Sequence, residues 1–244
     1  QIYSGLALFF SFWSYLKFKP EDYSKRLVNL LLAMLFASSL LISFSRSFWV
    51  GLICSFVFSL IIVWRVYNWK RIFISTLWFI SSFFLGFVLI YLVAIFPFPK
   101  PGSFNADFIS RVSNGNESAV SSRWSLLPVL GKEIAKEPFF GQGYGATITY
   151  ISSDPRVLEK DPSGTYTTYA FEWGYFDVWL KLGLFGLLSY LWLLFYLVKN
   201  SIIFSIKNAN YVLLGLSSGI IFLAATNFFT PYLNHPLGIG ILLF

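Results

Sequence analysis

The stretch that decides the fold is LISFSRSFWVGL, residues 41–52, because it places one arginine between two long uncharged runs. Residues 27–44 carry no charged side chain on one side of Arg46, and residues 47–64 carry none on the other. Each run approaches the length of about 20 apolar residues that an α-helix needs to cross a bilayer. The stretch therefore predicts two transmembrane helices, joined by a tight corner that carries a charge.

The whole chain has the composition of a helical membrane protein. Of its 244 residues, 57% are hydrophobic and 12% are charged, whereas a soluble domain has about 25% charged residues. Similar apolar runs predict transmembrane spans at about 1–16, 27–44, 48–64, 72–96, 174–198 and 211–230. We therefore predict an all-α fold: a polytopic transmembrane helical bundle that forms one domain over 1–244, with a long, partly helical extracytoplasmic loop at 97–173. Because the chain starts at Gln1 and ends inside an apolar run, we expect a fragment of a longer protein.

Basic residues are concentrated in alternate short connections between these spans. They are Lys17, Lys19, Lys25, Arg26, Arg65, Lys70, Arg71, Lys199 and Lys207. An excess of lysine and arginine marks the cytoplasmic loops of membrane proteins. The corner at 44–47 and the segment at 97–173 are therefore expected on the outer face. The same pattern accounts for the net charge of +7 without a nucleic-acid partner.

The segment at 97–173 is much longer than an ordinary connection, and loops beyond about 15 residues are usually functional or disordered. Within it, SSRWSLLPVLGKEIAKE (121–137) has two serine caps followed by Trp124, Leu127, Leu130 and Ile134 at the spacing of one apolar helix face, although Pro128 should kink or delay that helix. The glycine-rich PFFGQGYG (138–145) lacks the strand and the downstream acid of a dinucleotide site. We expect it to let the backbone approach another element closely. These features predict an ordered cap on the outer membrane face.

Three outward arginines are candidates for binding a diphosphate. Arg46 is flanked by Ser45 and Ser47, and a guanidinium matches phosphate oxygens bidentately; the alternative is an interfacial arginine that reaches lipid headgroups. Arg123 falls in the predicted first turn of the cap helix, where a cation favours an anionic partner; the alternative is a solvated side chain. Arg111 is a weaker third candidate, and its alternative is an ordinary loop charge.

The other polar residues limit which kinds of functional site the chain can form. Glu172 stands where the outer segment enters the next span, either as a functional carboxylate or as a first-turn acid favoured by the helix dipole. Asp177 and Lys181 are four residues apart and predict a helix-surface pair. His235 is the single histidine and the other acidic residues are scattered, so we predict no metal site and no cofactor. Cys54 is the single cysteine, which excludes an internal disulfide.

Three stretches together resemble the O-antigen ligase and O-antigen polymerase family. FSRSFWVGL (44–52) resembles its serine–arginine signature, RWSLLPVLGKEIAKEPFFGQGYG (123–145) its arginine helix and glycine run, and GYFDVWLKLGLFGLL (174–188) its helix after the outer loop. They occur in the family's order, over roughly residues 27–200. The resemblance implies a membrane glycosyltransferase. Such an enzyme moves a glycan from an undecaprenyl-diphosphate carrier to an acceptor hydroxyl, at the outer face of the bacterial cytoplasmic membrane.

The resemblance also implies roles for individual residues. Arg46 and Arg123 would bind the lipid diphosphate, with Arg111 as a third candidate, and no metal would be needed. Ligases of this family often carry a histidine where the outer loop enters the following span, as the base for the acceptor hydroxyl. Aligning on LKLGLFGLL places Glu172 there, and glutamate can also serve as a general base. The glutamate in place of the histidine departs from the ligase pattern, so both a ligase and a polymerase activity stay possible.

An alternative from another class is a transporter or flippase of polysaccharides or lipid-linked glycans. Transporters tend to place ionisable residues or broken helices near mid-membrane and to contain repeated halves. In this sequence the charges lie near span ends and no internal repeat is seen, which favours the glycosyltransferase. The expected partners are a lipid-linked glycan, a glycan or glycolipid acceptor and the lipid bilayer.

Overall fold

The computed structural model of the protein describes residues 1–96 and 118–243. Within these ranges the chain is predominantly helical, with a single two-stranded antiparallel sheet. The elements in chain order are α1 Ile2–Lys17, α2 Tyr23–Ser43, α3 Arg46–Val66, α4 Trp69–Ile95, α5 Ser118–Lys136, β1 Ile148–Ile151, α6 Pro155–Leu158, β2 Thr165–Thr168, α7 Gly174–Asn208, α8 Tyr211–Asn227, a 3-10 helix Tyr232–Asn234 and α9 Pro236–Leu242.

Four helices of the described ranges are long and apolar enough to cross a membrane. They are Tyr23–Ser43, Arg46–Val66, Trp69–Ala94 and Gly174–Asn208. A fifth apolar helix, Tyr211–Asn227, is shorter. The prediction of an all-α, polytopic helical membrane protein is confirmed.

The chain separates into two compact units. The first, here the helical unit, comprises Gln1–Pro99, Leu194–Thr226 and Leu237–Phe244. The second, here the mixed unit, comprises Lys100–Leu193 and Asn227–Pro236 and contains the β-hairpin. The division falls inside α7, so the first part of this 35-residue helix belongs to the same unit as the preceding segment.

Close helix approach in the helical unit depends on glycine. In this unit α2 packs against α1 and α4, and α3 packs against α4. A Cβ atom on Gly51 of α3 would lie 2.8 Å from the carbonyl oxygen of Phe222 and would also collide with Thr226. Small residues are the usual means by which transmembrane helices approach each other, because lipid provides no hydrophobic driving force between them.

Buried hydroxyls also connect these helices. The Trp13 Nε1 of α1 donates to Ser218 Oγ at 2.8 Å, and Ser55 Oγ of α3 donates to the Ser218 carbonyl at 2.6 Å. The hydroxyls of Ser59 and Ser218 lie 2.9 Å apart. Three helices therefore share one hydrogen-bonded cluster in an apolar interior, a common device in membrane bundles.

The outer surface of the same unit is apolar. Large side chains such as Ile53 and Phe84 are 62% and 65% exposed. A water-soluble bundle would place polar residues at these positions, whereas hydrocarbon chains are a suitable neighbour for leucine, isoleucine and phenylalanine. The exposed surface is therefore consistent with helices that face lipid.

The mixed unit has its own hydrophobic core, built on the predicted amphipathic helix. Leu126, Leu130 and Ile134 of α5 are buried against Phe171 and other apolar residues. Their spacing of four residues places them on one helix face. The helix differs from the prediction in two respects: it begins at Ser118, before the expected serine caps, and it accommodates Pro128 in its interior.

Trp124 was expected on the buried face of α5 and is instead 58% exposed. Leu126 takes that place because it lies four residues before Leu130, whereas Trp124 lies six before it and falls toward another face. The Trp124 ring still makes an edge contact with Trp173, with ring centroids 5.3 Å apart.

The β-hairpin was not predicted. Its strands pair antiparallel, with Tyr150 opposite Tyr166 and Thr149 opposite Thr167. The Thr149 and Thr167 hydroxyls lie 2.7 Å apart on one face. Threonine, isoleucine and tyrosine favour strands, but each strand has four residues, too few for a clear alternating signal.

Helix α7 is broken at Gly183, and the glycine-rich turn of residues 138–143 fills the break. Gly183 has φ 70° and ψ −175°, which is not helical. The Gln142 and Gly143 N–H groups donate to the carbonyls of Leu180 and Lys181 at 2.8 and 3.0 Å. Beyond the break, the Leu184 N–H donates to the carbonyl of Pro138 at 2.8 Å. The turn therefore satisfies backbone groups that the broken helix leaves without helical partners. This agrees with the close backbone approach expected for PFFGQGYG.

Candidate functional site

A cavity of about 420 Å³ lies in the mixed unit and is formed largely by the hairpin and its connection. Small-molecule sites typically measure about 300–1,000 Å³. The wall combines hydroxyls, carboxylates, one ammonium and a few apolar groups: Leu126, Tyr150, Ser152, Asp154, Val157, Lys160, Asp161, Thr165, Tyr166, Thr168, Ala170 and Glu172. We refer to it as the hairpin cavity.

Two tyrosines form the aromatic part of this cavity. Tyr150 of β1 and Tyr166 of β2 are direct cross-strand partners. Their rings meet edge to face, with centroids 6.0 Å apart and an interplanar angle of 78°. Edge-to-face pairs are a favourable aromatic arrangement and add to the stability of paired strands. The strand register thus fixes an aromatic surface on the cavity wall.

The connection between the strands is held by hydrogen bonds that backbone N–H groups donate. The Ser152 N–H donates to the Gly164 carbonyl at 2.8 Å, and the Asp154 N–H donates to Ser152 Oγ at 3.2 Å. Gly164 has φ 71°, and a Cβ atom on it would lie 2.9 Å from the Ser152 carbonyl oxygen. A glycine is therefore required at this position. These bonds order the segment that carries Asp154 and Asp161.

Asp161 is kept in its ionised form by its own turn. The hydroxyl and the backbone N–H of Ser163 both lower the pKa of the Asp161 carboxyl, the N–H donating to Oδ1 at 2.9 Å. Hydrogen bonds to a carboxylate stabilise the charged form. Asp161 therefore contributes a negative charge to the cavity wall at neutral pH.

Glu172 lies on the wall of the same cavity. Because α7 begins at Gly174, Glu172 precedes the helix and does not lie in its first turn. Its neighbours Phe171 and Trp173 are both buried in the core of the mixed unit. The backbone on either side of Glu172 is thereby anchored, so its carboxylate is carried by a fixed part of the chain.

The arginines predicted to bind a diphosphate are distributed along the chain. Arg46 is the first residue of α3 in the helical unit and is exposed, between Ser45 and Ser47, whose hydroxyls lie 2.9 Å apart. Arg123 lies in the second turn of α5, because that helix begins earlier than predicted. The Arg123 side chain and the whole of Arg111 lie outside the described residues. The shared diphosphate site stays a prediction.

Asp177 and Lys181 form an ion pair, as predicted, but the prediction that it lies on the helix surface was wrong. The Asp177 Oδ1 lies 2.6 Å from Lys181 Nζ, and Asp177 is only 5% exposed. Asn234 covers the pair, donating from Nδ2 to Asp177 Oδ2 at 2.7 Å and to the Gly174 carbonyl at 3.0 Å. The Lys181 ammonium also lies 5.5 Å from the Phe171 ring centroid. The turn at 227–236 encloses this helix start, which the i, i+4 spacing alone does not reveal.

The buried pair lies close to the candidate site along the chain. Phe171, whose ring the Lys181 ammonium approaches, is the residue immediately before Glu172. Asp177 and Lys181 themselves do not line the hairpin cavity.

Within residues 1–96 and 118–243, no group of three or more His, Cys, Asp or Glu residues is arranged to hold a metal ion. His235 follows the 3-10 helix and is exposed. Independence from metals and cofactors stays a prediction.

Most of the cavity was missed from the sequence. Glu172 was identified, but Asp154, Asp161 and the two tyrosines were not. The available signal was the pair of β-branched and aromatic stretches, ITYI at 148–151 and TYTT at 165–168, around a connection rich in turn residues. Read as a hairpin, these stretches would have brought the tyrosines together.

Residues 30–191 of the chain match the family model Wzy_C, described as O-antigen ligase. The match covers more than half of the chain and includes Arg46, Arg123 and every residue of the hairpin cavity. No curated protein and no solved structure matches the chain. Among the described residues, the matched region overlaps four helices of membrane-spanning length, the first of which begins before residue 30 and the last of which continues beyond residue 191. The chain therefore belongs to the O-antigen ligase family and is a membrane glycosyltransferase of the O-antigen ligase or polymerase type.

Proposed function

We propose that the protein transfers a glycan from an undecaprenyl-diphosphate carrier to an acceptor hydroxyl at the outer face of the bacterial cytoplasmic membrane. The observation that carries this proposal is the position of Glu172. It stands where ligases of the family often have a histidine base, and it lies on the wall of a hydroxyl-rich cavity within the matched region. A carboxylate in such a cavity is suited to accept a proton from a sugar hydroxyl.

The reaction is a displacement at the anomeric carbon of the donor. The acceptor hydroxyl oxygen forms the new bond to that carbon, while the bond from the carbon to the diphosphate oxygen breaks. The bonding electrons leave with the lipid diphosphate, and the hydroxyl proton passes to the Glu172 carboxylate. A positioned general base typically contributes a factor of about 10²–10⁴ to the rate.

The arginines act on the leaving group. A guanidinium donates two parallel hydrogen bonds to phosphate oxygens, so Arg46, with Arg123 and Arg111, would hold the diphosphate and stabilise its growing charge. Arg46 is well suited to this role because it is the first residue of α3. The N-terminus of a helix carries partial positive charge and presents unpaired N–H groups to anions.

Transport is the alternative function, and one observation bears on it. Transporters commonly use broken transmembrane helices, and α7 is broken at Gly183. In transporters the backbone freed by the break faces a substrate or an ion. Here the N–H and carbonyl groups around the break are bonded to residues 138–143. This pattern supports a structural junction and favours the transferase.

The experiment uses the purified chain in proteoliposomes with a lipid-linked glycan and a glycan acceptor. Transfer predicts a covalently elongated or glycosylated acceptor together with free undecaprenyl diphosphate, both detected by mass spectrometry. Turnover should persist in EDTA, because no step uses a metal ion. Appearance of intact lipid-linked glycan on the opposite leaflet without any covalent product would favour the transporter instead.

A further inference from the structure

We propose that the glycine-rich turn of residues 138–143 is inserted into the lipid bilayer, where Phe139 and Phe140 contact acyl chains. The partner of this surface is the hydrocarbon of the membrane lipids, next to the headgroup layer. Contact with lipid goes beyond the proposed transfer reaction and does not depend on it.

The turn presents two phenylalanines beside a third one on α7. Phe140 is 78% exposed, and Phe139 and Phe185 are also exposed. The ring centroids of Phe139 and Phe140 lie 6.1 and 5.7 Å from that of Phe185. The three rings therefore form one apolar surface, here the phenylalanine patch. Because removing a phenylalanine side chain from water stabilises by about 1.5–3 kcal/mol, such a patch favours an apolar neighbour.

The position of Phe185 along α7 identifies this neighbour. Phe185 lies in the uncharged run of residues 182–198, between Lys181 and Lys199, and α7 is long and apolar enough to cross a membrane. As a helix this run is about 25 Å long, close to the roughly 30 Å thickness of the hydrocarbon core of a bilayer. Phe185 therefore lies at one edge of the hydrocarbon. The turn lies at the same depth, because its two phenylalanines contact Phe185.

The phenylalanine patch also continues an exposed apolar face of α7. Leu188 and Trp192 follow Phe185 at spacings of three and four residues, which places the three side chains on one face of the helix. Leu188 and Trp192 are both exposed, and an exposed apolar face on a membrane-spanning helix is suited to acyl chains. The same hydrocarbon can therefore cover this face and the patch.

The backbone of the turn is prepared for this environment. Irregular backbone is tolerated at membrane depth only where the protein satisfies its polar groups. Pro138 has no N–H group, and its carbonyl accepts from the Leu184 N–H at 2.8 Å and from Trp179 Nε1 at 2.9 Å. The Gln142 and Gly143 N–H groups donate to carbonyls of α7. These bonds replace water, and they fix the depth of the turn to that of the helix.

Depth can be measured with a nitroxide spin label on Phe140→Cys, in a Cys54→Ser background. The whole chain is placed in vesicles of phosphatidylcholine and phosphatidylglycerol. EPR power saturation then reports collisions of the label with oxygen, which concentrates in hydrocarbon, and with a water-soluble nickel chelate. Leu188→Cys is the reference for lipid, and Ser163→Cys, exposed in the connection between the strands, is the reference for water.

We expect the ratio of oxygen to nickel collisions at Phe140→Cys to be severalfold higher than at Ser163→Cys and close to that at Leu188→Cys. A ratio equal to that at Ser163→Cys would place the turn in water. Low collision rates with both reagents would place it against protein, either another segment of the chain or a second copy. Each of these two results would overturn the proposal.

Phe140→Trp tests the same contact without a label, since it keeps an aromatic ring. The added fluorescence should be quenched by lipids brominated on their acyl chains and only weakly by iodide in water. Tyr169→Trp is the matched control, because Tyr169 is an exposed aromatic residue just after β2, and it should be quenched by iodide instead. Quenching of Phe140→Trp by iodide and not by the brominated lipids would contradict the insertion. Both measurements report position alone, so neither depends on whether the chain transfers a glycan.

Discussion

Gly141 and Gly183 face each other so closely that neither position has room for a side chain. A Cβ atom on Gly141 would lie 2.5 Å from the Gly183 backbone nitrogen, and a Cβ atom on Gly183 would collide with the Phe139 carbonyl. Both glycines also have positive φ, 75° and 70°. The glycine-rich turn and the break in α7 therefore depend on each other.

We predict that Gly183→Ala will lower the free energy of unfolding by about 2–3 kcal/mol or more. Alanine at this φ and ψ is strained, and its methyl group would push away a backbone carbonyl that cannot move alone. Gly141→Ala should have a similar effect. The measurement is thermal unfolding of the detergent-solubilised chain, followed by tryptophan fluorescence.

Gly145→Ala is the matched control for this pair. Gly145 belongs to the same glycine run, but a Cβ atom on it would have nothing within 4 Å and its φ is not positive. The Gly145→Ala variant should therefore have the same unfolding temperature as the parent. An equal loss of stability in Gly145→Ala, or none in Gly183→Ala, would reject the proposed junction.

The buried ion pair leads to a second prediction. Lys181→Met leaves the Asp177 carboxylate buried without its cation, and breaking one partner of such a pair typically costs about 3–5 kcal/mol. Asp177→Leu combined with Lys181→Met should recover much of this loss, because no buried charge remains. Thermal unfolding of the single and double variants measures the coupling.

Lys136→Met tests whether the loss of stability expected in Lys181→Met is caused by burial of the ion pair. Lys136 pairs with Glu133 at 2.7 Å on α5, but 64% of its side chain is exposed. An exposed pair contributes about 0–1 kcal/mol, so this variant should be nearly as stable as the parent. Similar losses in Lys136→Met and Lys181→Met would contradict the assignment of a structural role to the buried pair.

The helical fold could be predicted from the sequence because membrane spans follow from composition. Residues 27–44 and 47–64 carry no charge, and this property is local, so it does not depend on which residues lie nearby in space. The close backbone contact made by the turn PFFGQGYG could also be predicted, from its glycines. Its partner could not be named, since a break at Gly183 inside an apolar run has no local signature.

The candidate site was only partly predictable, because it is assembled from distant residues. Asp154 and Glu172 reach one cavity through a hairpin whose strands have four residues each. Such short strands are stabilised by their register and by α5, not by their own sequence pattern. Burial of Asp177 likewise depends on Asn234, 57 residues later in the chain.

Orientation in the membrane can be measured with introduced cysteines. We predict that Ser163→Cys, placed in a Cys54→Ser background, will react with an impermeant thiol reagent in intact cells, because the segment at 97–173 is expected outside. Ser163 and Cys54 are both exposed, so the native thiol must be removed. Ser24→Cys, which is exposed near the basic residues expected in the cytoplasm, is the control and should react only after cell lysis. Labelling of Ser24→Cys in intact cells, with Ser163→Cys reacting only after lysis, would contradict the proposed orientation.

Arg46 provides a test of phosphate binding. Arg46→Lys keeps the positive charge but loses the bidentate guanidinium, so we expect turnover to fall at least tenfold. Arg65→Lys is the matched control, because Arg65 lies in the last turn of the same helix. Both are measured as transfer of a lipid-linked glycan in proteoliposomes. Full activity of Arg46→Lys would support an interfacial arginine that binds only lipid headgroups.

The central claim is that Glu172 is the base of glycan transfer, and substituting it tests the claim most directly. Glu172→Gln keeps the size of the side chain and removes its ability to accept the proton. Turnover in proteoliposomes should fall by about 10²–10⁴-fold, while binding of the undecaprenyl-diphosphate donor is retained. Glu172→His should restore part of the rate with a changed pH optimum, because imidazole can also accept the proton. Turnover of Glu172→Gln within a few fold of the parent would contradict the account.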